Sequence, residues 1–182
     1  MKALAATLAL LALTGTAYAD SDAEDDGTLN PEEMTLRSFV ERARGGEADP
    51  VICMQGYMAV KSGRHDWGND IFEACSEAGY TSVYHWRSYM AHNGLGRPES
   101  AEEAAEWDKK AADAGDPIGQ FNYGLDLLRG HGVASDPIRG RQFIDRAASA
   151  GLDVARDLQD AAYDPAAVTP DSDEWKYEKP LF

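Results

Sequence analysis

Three segments of the chain end alike: Ser-Glu-Ala-Gly at 76–79, Ala-Asp-Ala-Gly at 112–115 and Ala-Ser-Ala-Gly at 148–151. Gly79, Gly115 and Gly151 therefore follow one another at intervals of 36 residues. A fixed period of this size belongs to stacked helical repeats, in which each helix pair buries its apolar face only against its neighbours. The spacing predicts an all-α, right-handed solenoid of antiparallel helix pairs, with about three repeats plus capping helices. It also bounds the function, because each repeat of a solenoid adds one strip to an extended concave binding face.

Local signals fit the same frame. Asp49-Pro50 and Asp116-Pro117 open helices in one way: the aspartate accepts orphan backbone N–H groups, and proline takes a first-turn position that needs none. Behind them Val51, Met54 and Met58 repeat the spacing of Ile118, Phe121 and Leu125, and Val83, Trp86 and Met90 supply the matching stripe of the middle unit. All three stripes read as core-facing. Glycine turns at Gly63, Gly94-Leu95-Gly96 and Gly130-His131-Gly132 stop these first helices. Second helices start at Ser100, with Glu103 completing a capping box, and at Asp136-Pro137. They carry Ala104, Trp107 and Ala111, or Ile144, Ala147 and Ala148. The first unit is about five residues shorter at this point, with its second helix around Ile71–Cys75.

Leu152, Ala155, Leu158 and Ala162 form one further first-helix stripe, the mark of a capping half-repeat. At the other end Asn30-Pro31-Glu32-Glu33 reads as the start of a helix that carries Leu36, Phe39, Val40 and Ala43 and stops at Gly45-Gly46. The expected organisation is a capping helix over 29–46 and a solenoid over 47–163. The solenoid divides into repeats at 49–79, 80–115 and 116–151 and a half-repeat at 152–163.

The chain opens with Lys2, an apolar run over 3–13 and Ala17-Tyr18-Ala19, the pattern of a secretory signal peptide cleaved between Ala19 and Asp20. The run is shorter than the roughly 20 residues a membrane span requires, and the single-lysine start points to a bacterial periplasm. Beyond that site the chain carries 16 basic against 32 acidic residues. Such a balance argues against nucleic acid and anionic lipid, whose phosphates demand Lys and Arg. A membrane-embedded chain is not expected either, since no other long apolar run exists. Acids collect at 20–28, a segment without apolar content to fold on, and in a Pro-flanked tail over 164–182. The tail also holds Trp175, Tyr177, Leu181 and Phe182, which mark it either as a segment that folds back on the last helices or groove, or as a motif for a partner.

The third unit reads Gly115-Asp116-Pro117-Ile118-Gly119-Gln120-Phe121-Asn122-Tyr123-Gly124-Leu125, then Gly130-His131-Gly132-Val133 and Asp136, then Ala147-Ala148-Ser149-Ala150-Gly151. It closely resembles the Sel-one-like repeat (SLR), a relative of the tetratricopeptide repeat. The resemblance is clear over 80–115 and degraded over 49–79. It implies an adaptor or scaffold that binds proteins, including periplasmic regulators that hold a membrane sensor.

Two cysteines in an exported chain suggest a disulfide. Cys53 takes the position of Gln120, and Cys75 that of Ala111 and Ala147. Secreted cysteine-rich SLR proteins bridge these two positions, so the resemblance implies a Cys53–Cys75 bond. A reactive thiol pair, or soft-metal ligation with Met54 and Met58 nearby, is the other reading of these residues. His65, His92 and His131 fall at or beside the glycine turns and offer a zinc or copper site across repeats, although no H-x-x-x-H spacing supports one. Catalytic signatures such as G-x-S-x-G, S-x-x-K, H-E-x-x-H and the P-loop are absent. The chain is therefore read as no enzyme, with no cofactor; a cell-wall or β-lactam-directed role rests only on the cysteine-rich resemblance.

Binding then falls to the aromatics of the first helices: Tyr57, Tyr84, Trp86, Tyr89 and Tyr123. Of the first-helix residues, Tyr84, His85, Arg87 and Tyr123 lie off the apolar stripes and are the expected contacts for a protein or peptide partner. The chain itself is expected to be a monomer.

Overall fold

The computed structural model describes residues 34–168. The expected signal peptide over 1–19, the acidic segment 20–28, the expected helix start at Asn30-Pro31 and residues 169–182 of the tail lie outside the described residues. Eight helices follow in order: α1 Leu36–Arg44, α2 Pro50–Lys61, α3 His65–Glu77, α4 Tyr84–His92, α5 Ala101–Asp113, α6 Pro117–Arg129, α7 Pro137–Ser149 and α8 Asp153–Asp160. No strand occurs among the described residues. α2–α3, α4–α5 and α6–α7 pair across short turns, α3 packs on α4 and α5 on α6, and α1 and α8 close the two ends. This is an α-solenoid.

Caps set the helix starts. Asp49 Oδ1 accepts the Val51 and Ile52 amides, both at 2.8 Å, and Asp116 Oδ1 accepts that of Ile118 at 2.9 Å. Thr35 caps α1, so that helix begins at Leu36. Ser100 accepts the Glu103 amide at 3.1 Å, but the reciprocal half of the capping box is missing. The Ser100 N–H instead reaches back to Ala91 O, and the Glu103 carboxylate accepts from Trp107 Nε1. α3 is a full-length helix from His65, not the short segment around Ile71–Cys75; the first repeat lost its residues from the turn alone.

Gly94, Gly96, Gly130 and Gly132 all have positive φ, as their turns predict. The second glycine of each turn does more than bend the chain. A β-carbon on Gly96 would meet His65 and Asp66 backbone at about 3 Å, and one on Gly132 would stand 2.0 Å from Ala101 O. Each G-x-G turn thus lies against the first turn of the preceding repeat's second helix. Asn69 secures the first of these joints by donating to Leu95 O at 2.8 Å.

Of the three expected core stripes one faces outward and one is split, with Phe121 and Leu125 buried as expected. Val51, Met54 and Met58 are exposed, and the buried face of α2 is Ile52, Cys53, Gly56, Ala59 and Val60. Ile118 is exposed as well. α2 is apolar nearly all round, so periodicity cannot choose between its faces. The small residues Cys53, Gly56 and Ala59 admit the partner helix closely: Gly56 leaves room for the Phe72 ring. In the middle repeat Val83 and Met90 are buried as expected.

The Cys53–Cys75 disulfide is present, with Cα atoms 5.9 Å apart, and no free cysteine remains among the described residues. It joins α2 to α3 inside a cluster that includes Ile52, Ile71 and Phe72. Residues 164–168 are part of the fold. Pro165–Ala167 form a turn of 3-10 helix, Arg129 Nη2 donates to Pro165 O at 3.1 Å, and Val168 is buried against Phe121 and Leu125.

Candidate functional site

The repeat register places equivalent positions of successive first helices in rows. Met54 and Met58 on α2 correspond to His85 and Tyr89 on α4 and to Phe121 and Leu125 on α6. Val51, Ile118 and Val154 open their helices in a third row. Between α4, α6 and α8 these rows frame a pocket of about 280 Å³, walled by His85, Tyr89, Phe121, Leu125, Val154 and Val168.

Exposure along the rows is uneven. Met54 is 60% exposed, Met58 51% and Tyr89 46%, whereas Phe121 and Leu125 are each 9% exposed under the returning C-terminal segment. Tyr57 joins the open end, its ring centroid 4.9 Å from that of Trp86, which meets Tyr89 edge-on at 6.1 Å. Tyr57, Trp86 and Tyr89 thus form a run of ring contacts from α2 to α4, and Met54 and Met58 are the exposed thioethers of α2.

The polar floor of the groove was not foreseen in the sequence. Asp108 on α5 is 6% exposed and stands where the third repeat has Ile144. It accepts from Ser88 Oγ at 2.6 Å and from Asn122 Nδ2 at 3.2 Å, which ties α4, α5 and α6 together and fixes the Asn122 amide at the pocket wall. A buried carboxylate survives only when its lone pairs are taken up in this way.

The four expected contact residues separate. On a helix, positions 85, 89 and 92 share a face, while 84 and 87 lie away from it. His85 enters the groove. Tyr84 and Arg87 turn to Trp107, with the Arg87 guanidinium 3.9 Å and the Tyr84 ring 5.6 Å from its ring centroid. Arg87 also donates to Ser76 Oγ at 2.7 Å, so it braces α3, α4 and α5 against one another. Burial lowers its pKa, opposed by Glu73, Glu103 and Glu77. Tyr123 is a core residue: it is 4% exposed and packs edge-on against Phe143 at 5.0 Å. Its phase on α6 points it at α7, so its expected place in the groove is corrected.

His92 and His131 do come together, ring centroids 5.0 Å apart, with His131 Nδ1 3.7 Å from Asp126 Oδ1. His65 belongs to the first turn of α3. Among the described residues no three His, Cys, Asp or Glu side chains are arranged to hold a metal ion.

His85 is a titratable ring of the pocket. Burial lowers its pKa from the ordinary 6.5, and Asp116, whose Oδ2 lies 3.6 Å from Nδ1, offsets part of that shift. As pH falls the unfolded chain takes up the proton first. Stability contributed by the neutral ring is therefore full above about 6.5 and is lost as pH falls from there through the lower folded value. His85→Gln is expected to flatten the decline of melting temperature just below pH 6.5. An unchanged decline would assign it to another group.

Comparison with known proteins gives one family and several similar structures. The Sel1 repeat family matches residues 73–116 and 117–152. The crystal structure of c5321, a protective antigen of uropathogenic Escherichia coli with an SLR fold, is similar at a TM-score of 0.63 and 29% identity, over 75% of this chain and 30% of that one. A Sel1 repeat protein from Oxalobacter formigenes gives 0.60 and 15%, over 78% of this chain and 59% of that one. Helicobacter pylori cysteine rich protein B gives 0.53 and 16%, over 66% and 88%. The chain thus spans less than two thirds of the first two proteins, and no curated protein matches it. The 36-residue period, the joints between G-x-G turns and helices, and the matched segments agree: residues 73–116 and 117–152 are two Sel1 repeats within a solenoid similar to those of SLR proteins.

Proposed function

We propose that this protein is an exported adaptor that holds an extended, apolar segment of a partner protein along its first-helix face. Sel1 repeats typically serve protein–protein interaction. The observation that carries the reading is the row of large apolar side chains left open at groove positions: Met54 and Met58 on α2, Tyr57 beside them, and Tyr89 on α4. Methionine and tyrosine together suit a groove that must mould itself to a peptide, since the thioether is polarisable and flexible and the phenol offers a polar tip. Export is supported by the disulfide, which persists in oxidising compartments, and by the signal-peptide pattern of residues 1–19. No helix among the described residues is long and apolar enough to cross a membrane.

Binding is the reading that the open apolar row supports; the pocket lining carries imidazole, phenol, amide, carboxylate and guanidinium groups beside it. A metal-responsive role has only the His92–His131 pair behind it.

The test is a phage-displayed random dodecapeptide library selected on the protein, with binding of the recovered peptides then measured on Met58→Glu and Tyr89→Glu. Each buried anchor is worth about 1.5–3 kcal/mol, so each variant is expected to weaken binding by about tenfold or more. The melting temperature should stay within a few degrees, because both side chains are already in water. Peptides that bind both variants as tightly as the parent would show that the groove is not the working surface.

A further inference from the structure

The chain leaves α8 by a reversal that is conformationally costly. Ala162 and Tyr163 both take left-handed backbone angles, φ 58° and 62°, which non-glycine residues avoid. Strained residues of this kind persist only where surrounding contacts over-determine them. Here Tyr163 N–H bonds Leu158 O at 2.8 Å, the Tyr163 hydroxyl donates to Asp145 Oδ1 at 2.6 Å, and Arg141 lies over its ring. The hydrogen bond to Asp145 also pushes the phenol above its ordinary pKa. The reversal sends 164–168 back across α6 and delivers Val168 into the concave pocket, on the wall shared with His85 and Tyr89.

Equivalent positions show what that return does. Phe121 and Leu125, where the segment crosses, are covered, while Met54, Met58 and Tyr89 at the same places of the preceding repeats stand open. Residues 169–182 continue from Val168 and contain Trp175, Tyr177, Leu181 and Phe182. The seven residues from Val168 to Trp175 span at most about 25 Å. Neighbouring helix axes lie about 8–10 Å apart, and α2, α4 and α6 touch one another only sparsely, so α6 to α2 is at least about 20 Å. Trp175 is the first residue of the tail that could anchor at the open end of the groove.

We infer that residues 169–182 are the groove's own occupant: they continue the path of Val168 over α4 to α2, seat Trp175 and the following apolar residues on Tyr89, Tyr57, Met54 and Met58, and compete with the partner. This rests on the groove reading above. A tethered segment acts at an effective concentration of about millimolar for short linkers, so even a weak tail occupies the site most of the time. If the groove is free only a tenth of the time, a foreign peptide binds about tenfold more weakly than it would to the open form.

The experiment uses the full chain with 13C-methyl methionine and compares the parent with Trp175→Glu/Phe182→Glu. The Met54 and Met58 methyl resonances are expected to shift in the variant, while buried Met90 keeps its position as evidence of an intact fold. A library-derived groove peptide should bind the variant about tenfold more tightly. Adding synthetic peptide 169–182 in excess to the variant should return the two methyls toward their parent positions. If groove peptides bind at Met54 and Met58 but the variant neither shifts those methyls nor gains affinity, self-occupancy is overturned and the groove reading stands. If the variant shifts the methyls but no foreign peptide binds either form, the tail docks as inferred and the foreign-partner reading fails. Shifts that follow protein concentration instead of residue 175 would make a second copy the occupant and overturn the inference.

Discussion

Gly132→Val is expected to cost the fold about 3 kcal/mol or more, against about 0.5 kcal/mol for His131→Ala beside it. Two effects add at Gly132. Its φ of 63° lies where a side chain costs about 1–2 kcal/mol. Its β-carbon would also stand 2.0 Å from Ala101 O and 2.4 Å from Ala101 C, backbone atoms of the first turn of α5 that cannot rotate away. The turn must lift off the preceding repeat, which breaks a joint between units and not merely one contact. Gly115→Val separates the two effects, because Gly115 has φ 86° but nothing within 4 Å of its built β-carbon. It should cost only the backbone strain, about 1–2 kcal/mol. Urea unfolding of the three variants provides the measurement. Equal losses for Gly132→Val and Gly115→Val would show that the turn does not bear on α5.

Cys75→Ala is expected to remove about 3 kcal/mol. The bond closes a loop with a sequence separation of 22, and closing a loop of that size stabilises by about 3 kcal/mol through the entropy of the unfolded chain. The substitution is clean, because Ala111 and Ala147, both fully buried, fill the equivalent position of the next two repeats. The loss therefore reports the cross-link and not a foreign side chain. The first repeat depends on it most, since its turn is short and has no second glycine to lie against a preceding helix pair. Reductant should destabilise the parent by a similar amount and leave Cys75→Ala unchanged. Labelling of the denatured, unreduced protein should find no thiols; two per chain would refute the assignment.

What could be read from the sequence was local or periodic. The 36-residue period set the number of helix pairs. Asp49-Pro50, Ser100, Asp116-Pro117 and Asp136-Pro137 marked helix starts because capping is a contact between residues two or three apart. The positive-φ glycines marked turns because only glycine takes that conformation freely, and the cysteine pairing followed from the resemblance to cysteine-rich SLR proteins. The placement of individual first-helix residues was not legible: His85 lines the pocket, Tyr84 and Arg87 pack on Trp107, and Tyr123 is buried.

The reason lies in α2 and α6. Each offers two apolar stripes, and periodicity weighs large side chains above small ones, so Val51, Met54 and Met58 read as core and Cys53, Gly56 and Ala59 as filler. Close packing against the partner helix reverses that order: a glycine or alanine lets two backbones approach, and a methionine at the same place would hold them apart. Asp108 was invisible for a related reason, because its partners Ser88 and Asn122 lie on other helices. Folding back of the tail was only one of two readings, since an acidic, proline-flanked segment carries no periodic signal that would place residues 164–168 on α6. The sequence by itself determined where helices start, stop and repeat, because those are decided within a few residues of each other. Which face of each helix meets a neighbour, and so which side chains remain open to a partner, was decided only when the helices were stacked.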